Sequence, residues 1–299
     1  MMIAFEQLCL LLAFIALGFF FGKRGLAEHS HAKLLSVLTV YLFLPCTIFN
    51  SFSKNFTTAN LKLYSPILLG SLIILLVLLP FAFFASRLIS KKSYERLVLF
   101  YSLVVPNYGH MGYPLTESLF GPEGLLLFIL FTLPVSLFTY TVGYSLLTKQ
   151  PLRLRRLLNP VTMAVVLGVV CGLLDVRPPE LAGQFLSKSA ACLAPTGMLL
   201  AGLTISQFDV LPLLRKKQTY ITCALRLLVI PICVSLTLQQ LTDNVQLIRM
   251  ATLFYSMSCG MNTIVFPKLV DEDCSIGASL ALVSNILSVL TIPLCLSLL

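Results

Sequence analysis

Charge is what this chain has least of. Only 11% of its 299 residues are Asp, Glu, Lys or Arg, while 58% are hydrophobic and the mean hydropathy is +0.93. Soluble domains carry about 25% charged residues, so a cytosolic enzyme and a disordered chain are both excluded. Acidic residues are scarcer than basic ones, 12 against 21. The resulting net charge of +9 does not mark a nucleic-acid binder, because the basic residues fall in short clusters between apolar runs. No P-loop, no H-E-x-x-H and no G-x-S-x-G occurs, so ATP drive and hydrolysis are unsupported and an enzyme is not expected. The nine cysteines hold no C-x-x-C spacing, and all but Cys274 lie in apolar stretches. Neither disulfides nor a metal nor a cofactor is expected. Cys274, in an acidic loop context, is expected to be open to thiol reagents on the cytoplasmic side. His29 and His31 alone make a poor metal site and read as solvated.

What the chain has in place of charge is long apolar runs. A helix needs about 20 apolar residues to cross about 30 Å of hydrocarbon. Reading for such runs gives ten candidates, 3–22, 32–52, 63–89, 97–119, 124–147, 160–174, 181–205, 219–238, 247–268 and 275–298. The first contains Glu6, lacks a basic lead-in and is long enough to span, so it reads as a membrane helix and not as a cleaved signal. Lys and Arg gather in the loops after the odd-numbered runs: Lys23, Arg24 and Lys33; Arg87, Lys91, Lys92 and Arg96; Lys149, Arg153, Arg155 and Arg156; Arg215, Lys216 and Lys217; and Lys268. The opposite side holds Lys54, Lys62, Arg177 and Arg249. This bias predicts a multi-pass protein of the cell membrane with both termini outside the cytoplasm.

The second half echoes the first at an offset of about 150 residues. Leu17-Gly18 and Gly22 recur as Leu167-Gly168 and Gly172, an L-G-x-x-x-G in each half. Pro45 answers Pro195, Pro80 answers Pro231 and Pro114 answers Pro267. Leu99-Phe100-Tyr101-Ser102 recurs letter for letter as Leu253-Phe254-Tyr255-Ser256, and Thr132, Ser136 and Thr139 answer Ser284, Ser288 and Thr291. Five runs per half is an odd number, so the halves are expected to lie inverted in the bilayer, the arrangement of secondary transporters. The expected fold is an all-α polytopic membrane protein of ten transmembrane helices. Residues 1–147 form the first five-helix repeat, 148–158 a basic cytoplasmic linker, and 159–299 the inverted second repeat.

Two runs are interrupted at matching places. The fourth meets Pro106-Asn107-Tyr108-Gly109-His110-Met111-Gly112-Tyr113-Pro114, and the ninth meets Ser258-Cys259-Gly260-Met261-Asn262-Thr263 before Pro267. Proline removes a backbone donor and clashes with the preceding turn, and glycine bares the backbone. Non-helical backbone at membrane depth persists only where it is buried in protein or lines a cavity. Each new half-helix would point its N-terminal amides inward, a setting that favours carboxylates. Asn107 and Asn262 add donors without a buried charge. The candidate substrate-binding residues are therefore Pro106, Asn107, Tyr108, Gly109, His110, Ser258, Cys259, Gly260 and Asn262, and the expected guest is a small organic anion.

The stretch Asn107–Leu115 resembles the N-x-G-x-x-G-x-P-L segment of the auxin efflux carrier family, and Gly260–Pro267 resembles the matching stretch of its bacterial members. Tyr140-Thr141-Val142-Gly143 also fits. The likeness covers the whole chain and is nearest to the branch described as malonate or malate permeases; the fold should be similar to that of bile acid–sodium symporters. It implies a scaffold of helices 1, 2, 6 and 7, a transport domain of helices 3–5 and 8–10, crossed and broken helices 4 and 9, and a homodimer. Two departures stand out. Ser258 stands where the family has proline, which implies either a softer break in helix 9 or a bend supplied by Gly260, and His110 stands where relatives often have phenylalanine.

The remaining polar residues leave alternatives open. His110 either titrates with transport or sits neutral against a freed carbonyl. Thr132, Ser136, Ser284 and Ser288 either bond helix to helix or line the pathway. Arg226 reads as a snorkelling cytoplasmic anchor before a substrate counter-ion. Lys188 lies in the outer part of its run. No acidic residue lies mid-run, so coupling to H+ or Na+ has no carboxylate relay to use, and a cation site would need carbonyls and amides. A membrane sensor that binds the same ligand without carrying it is the alternative from another class.

Overall fold

The computed structural model describes residues 2–153, 158–268, 270 and 272–299. Arg155 and Arg156 of the expected linker and Asp271 of the acidic loop lie outside the described residues. Within them every regular element is helical. The first half comprises α1 (Met2–Lys23), α2 (His29–Leu38), α3 (Leu44–Asn55), α4 (Leu61–Ile89), α5 (Ser93–Val104), α6 (Tyr113–Phe138) and α7 (Tyr144–Thr148). The second comprises α8 (Pro160–Leu173), α9 (Glu180–Ala191), α10 (Leu193–Ile205), α11 (Val210–Leu214), α12 (Lys217–Ala224), α13 (Ile230–Leu241), α14 (Val245–Ser256), α15 (Asn262–Lys268) and α16 (Ser275–Leu296).

Seven helical stretches among the described residues are long and apolar enough to cross a membrane. The difference from ten has physical causes. The sixth run forms α8, whose 14 residues rise only ~21 Å at about 1.5 Å each. The fourth and ninth runs are interrupted, and the second part of the fourth continues with the fifth as one stretch, Tyr108–Thr148. Gly121, with φ 70° and ψ −172°, breaks the helical path at their joint; a side chain would be strained there.

Among the described residues four π-helical turns adjoin the α-helices, at Thr39–Phe43, Tyr108–Gly112, Thr139–Gly143 and Leu225–Val229. Three of them end two residues before a proline, namely Pro45, Pro114 and Pro231. A proline ring crowds the carbonyl four residues back and brings no N–H to it, and a widened turn accommodates both effects. The prolines that pattern the sequence thus act as local wideners of continuous helices.

The two L-G-x-x-x-G motifs have matching tasks. In α1, a Cβ on Gly18 would lie 2.2 Å from the Leu199 carbonyl oxygen of α10, and one on Gly202 of α10 would lie 1.9 Å from the Ile15 oxygen of α1. In α8, a Cβ on Gly168 would lie 2.7 Å from Phe52 Cβ, and one on Gly172 would lie 2.6 Å from the Phe56 oxygen beyond α3. Small residues let backbones touch where lipid supplies no driving force between helices. So α1 packs on α10, and α8 packs on α3. Dense contacts also join α4 to α5 and α6, α13 to α14, and α16 to α12 and α14. Their core is aromatic, with Phe128, Phe131, Phe254 and Tyr255 fully buried.

Candidate functional site

The two interruptions meet. Helix α5 ends at Val104, Val105 turns extended (φ −108°, ψ 109°), and helix resumes at Tyr108. Helix α14 ends at Ser256, Met257 turns extended (φ −72°, ψ 156°), and helix resumes at Asn262. The extended segments pair as an antiparallel bridge, Pro106 opposite Cys259. Asn107 N donates to Ser258 O at 2.8 Å and Gly260 N to Val105 O at 3.3 Å. A Cβ on Gly260 would sit 3.2 Å from both the Val105 and Pro106 oxygens, which is why glycine suits the crossing.

The break in the second helix is as complete as the first, although Ser258 stands where the family has proline. Side chains do the work that proline would do. Ser258 Oγ donates to Asn285 Oδ1 at 3.0 Å, and Cys259 N donates to Ser284 Oγ at 2.9 Å, both on α16. These bonds and the bridge divert the backbone donors that would have continued α14.

Each predicted residue has a definite place. Pro106, Asn107, Tyr108, Ser258, Cys259 and Gly260 are buried at the crossing, and Gly109, His110 and Asn262 are half-buried beside it. The Asn107 side chain is 3% exposed, and its Nδ2 has no hydrogen-bond partner among the described residues. Nor do the backbone amides of Tyr108, Gly109 and His110 meet an acceptor there, as expected of a first helical turn. Asn262 Nδ2, by contrast, donates to Tyr101 Oη at 3.1 Å. The Tyr101 ring is pressed against Gly143, where a Cβ would lie 2.7 Å from it; this accounts for the glycine of Tyr140–Gly143. His110 makes no hydrogen bond among the described residues. Its ring lies across Gly197 of α10, with Cδ2 2.5 Å from where a Cβ would stand.

The four hydroxyls on the fifth and tenth runs are buried and bonded. Ser136 Oγ donates to Tyr108 Oη at 3.0 Å, and Thr132 Oγ1 lies 3.1 Å from Tyr113 Oη while donating to Ile129 O. Ser284 holds Cys259 N, and Ser288 Oγ donates to Asn285 O at 2.7 Å. Two of them fasten the broken segments from behind, so in this conformation they face protein and not an open pathway.

Two expectations are corrected. Arg226 is no snorkelling anchor. It is fully buried in the π turn Leu225–Val229, with Nη1 donating to Leu103 O at 2.9 Å and Nη2 to Phe254 O at 3.3 Å. Cys274 is 7% exposed, its Sγ 3.5 Å from Ile264 O. Burial pushes its thiol up to about 11, so little thiolate exists at neutral pH. Lys188 is exposed, and His31 Nδ1 accepts from Glu28 N at 2.9 Å. All nine cysteines are free, and among the described residues no cluster suits a metal ion.

Two cavities lie between α6 and the helices α3, α9 and α10. One of about 390 Å³ is lined by Asn50, Lys54, Glu117 and Ser187, among others. One of about 180 Å³ reaches Pro114 and Leu115 on α6 and Pro195 on α10. Thr47, Glu117, Ala190 and Ala191 border both. They follow the seam between α3, α9 and α10 on one side and α6 on the other.

Interrupted helices crossing within an apolar bundle point to a membrane transport protein, and sequence comparison agrees. The chain matches the membrane transport protein family over residues 3–154 and 148–296, and it belongs to that family, the family of the auxin efflux carriers. It is 25% identical over 297 residues to an uncharacterized transporter of Methanothermobacter thermautotrophicus, covering 97% of this chain and 96% of that protein. An uncharacterized transporter of Methanocaldococcus jannaschii is 28% identical over 125 residues, 42% of this chain and 41% of that protein; that match spans about two fifths of the relative's length.

Proposed function

We propose that this protein is a secondary carrier that moves a small organic carboxylate across the cell membrane by alternating access, with the guest held at the crossing of α5–α6 and α14–α15. The observation that carries the reading is the unpaired amide of Asn107. A buried N–H donor without an acceptor costs about 1–3 kcal/mol, and such a group at a crossing of broken helices is best explained by an acceptor that comes and goes. The amides of Tyr108, Gly109 and His110 point the same way at the start of a long helix, where the backbone dipole favours an anion. Asn262 releases its bond to Tyr101 to complete the grip.

In this reading the ten runs are ten crossings in two inverted halves, with both termini outside. The paired glycine contacts support it, since α1 on α10 and α8 on α3 are the same contact made by corresponding helices of each half. These four form the static scaffold together with α2 and α9. The remaining helices move along the seam that the two cavities follow, with His110 sliding over Gly197.

The test is uptake into proteoliposomes of a radiolabelled panel of dicarboxylates and indole acids, with and without sodium and proton gradients. Accumulation of one class, lost in Asn107→Ala and Asn262→Ala without loss of membrane insertion, supports the assignment. Unchanged uptake by both variants overturns it. Counterflow separates carriage from ligand sensing, because a sensor exchanges nothing across the bilayer.

A further inference from the structure

We infer that Arg226 is a built-in cation of the crossing: its guanidinium bridges the carbonyl ends of the two interrupted helices, where a mobile cation such as sodium would otherwise be needed. Leu103 and Phe254 stand four residues before Asn107 and Ser258, the partners in the bond that joins the extended segments. In unbroken helices their carbonyls would accept from Asn107 N and Ser258 N. Asn107 N goes to Ser258 O instead, and each break leaves carbonyls without helical partners at the negative end of a helix dipole, Leu103 O and Phe254 O among them. Two such ends converge here in an apolar interior. Arg226 donates one nitrogen to each stranded oxygen, at 2.9 and 3.3 Å, and lies 5.5 Å over the Tyr255 ring.

No carboxylate among the described residues pairs with this guanidinium. Its counter-charge is the two helix ends themselves. The rigid fork of a guanidinium also fixes the spacing between the oxygens, which a lysine point charge does not. The widened turn ahead of Pro231 is what brings Arg226 to the crossing. Positive charge that other sites would recruit from solution is here covalently attached. The consequence for coupling rests on the carrier reading: the carboxylate meets a site already charged, and transport is indifferent to sodium.

The test measures melting of protein in nanodiscs, so it stands or fails independently of transport. Wild type melts at the same temperature in sodium and in choline chloride at equal ionic strength. Arg226→Met keeps the bulk and removes the donors. A buried charge that merely occupied space would leave this variant neutral or more stable, whereas loss of the bridge lowers its melting temperature by about 5–15 °C. Arg226→Ala falls at least as far and recovers part of the loss in millimolar methylguanidinium, a rescue that Arg226→Met, its space filled, does not show. Arg226→Lys falls in between. Sodium-dependent melting of the wild type, an undiminished Arg226→Met, or failure of methylguanidinium to rescue Arg226→Ala would each overturn the inference. If Arg226→Ala does not accumulate in the membrane, Arg226→Lys and the wild-type sodium comparison decide the matter.

Discussion

Replacing Asn107 and Asn262 one at a time with alanine separates two roles that share one chemistry. Asn107 Nδ2 has no acceptor among the described residues. Truncation therefore breaks no bond to that nitrogen, and relief of an unpaired buried donor, about 1–3 kcal/mol, offsets the packing lost. The melting temperature of Asn107→Ala should stay within about 2 °C of wild type. Its affinity for a carboxylate should fall. A hydrogen bond to a charged acceptor contributes about 1.5–3 kcal/mol, or roughly 10- to 150-fold in Kd at about 1.4 kcal/mol per decade. Asn262 Nδ2 already donates to Tyr101 Oη at 3.1 Å, so Asn262→Ala should lose stability, about 0.5–1.5 kcal/mol, as well as affinity. Circular dichroism melts give the first quantity. Calorimetric titration with the carboxylate that the uptake panel selects gives the second. An Asn107→Ala that melts far below wild type while binding normally would refute the reasoning, because it would make Asn107 a structural residue.

Three further outcomes follow from the geometry. Gly202→Ala forces a Cβ to within 1.9 Å of the Ile15 carbonyl oxygen; because backbone opposes backbone, α1 and α10 must separate, and stability should drop by about 1–3 kcal/mol or more in a detergent melt. Ser284→Ala leaves Cys259 N without its acceptor at 2.9 Å, costing about 1–3 kcal/mol, and hydrogen exchange at Cys259 should quicken. Cys274 should label slowly with maleimide at neutral pH when followed peptide by peptide. Because burial pushes its thiol up to about 11, the labelling rate should climb steadily with pH through the range where an ordinary thiol, with a pKa of about 8.5, has levelled off.

Both interruptions were legible in the sequence because proline and glycine act locally: Pro106 through Pro114 can be read as a broken helix without knowing any neighbour. Where the cause is tertiary, the letters carry less. The break after Ser256 is enforced by Ser284 and Asn285 on α16, so Ser258 looked like a weakened proline when it is a tethered strand. Arg226 misled for the same reason. Its partners are two backbone oxygens, 123 and 28 residues away in the chain, and a carbonyl has no letter of its own. Tyr101 was visible only as part of a repeated L-F-Y-S; the repeat places one tyrosine under Asn262 and the other, Tyr255, under Arg226. The shortness of α8 is legible in the sequence, because the sixth apolar run, 160–174, is itself shorter than the about 20 residues a crossing needs. Cys274 lies among acidic residues in sequence yet is covered in space.

The paired tripeptides at the centre tie two chain segments into a single knot of backbone. Neither arm of the cross can straighten or shift without dragging the other, since Asn107 and Ser258, and Gly260 and Val105, are stitched main chain to main chain. A spectroscopic label placed on either arm should therefore report any displacement of both, and a distance measured between labels on the two arms should stay constant in any conformational change.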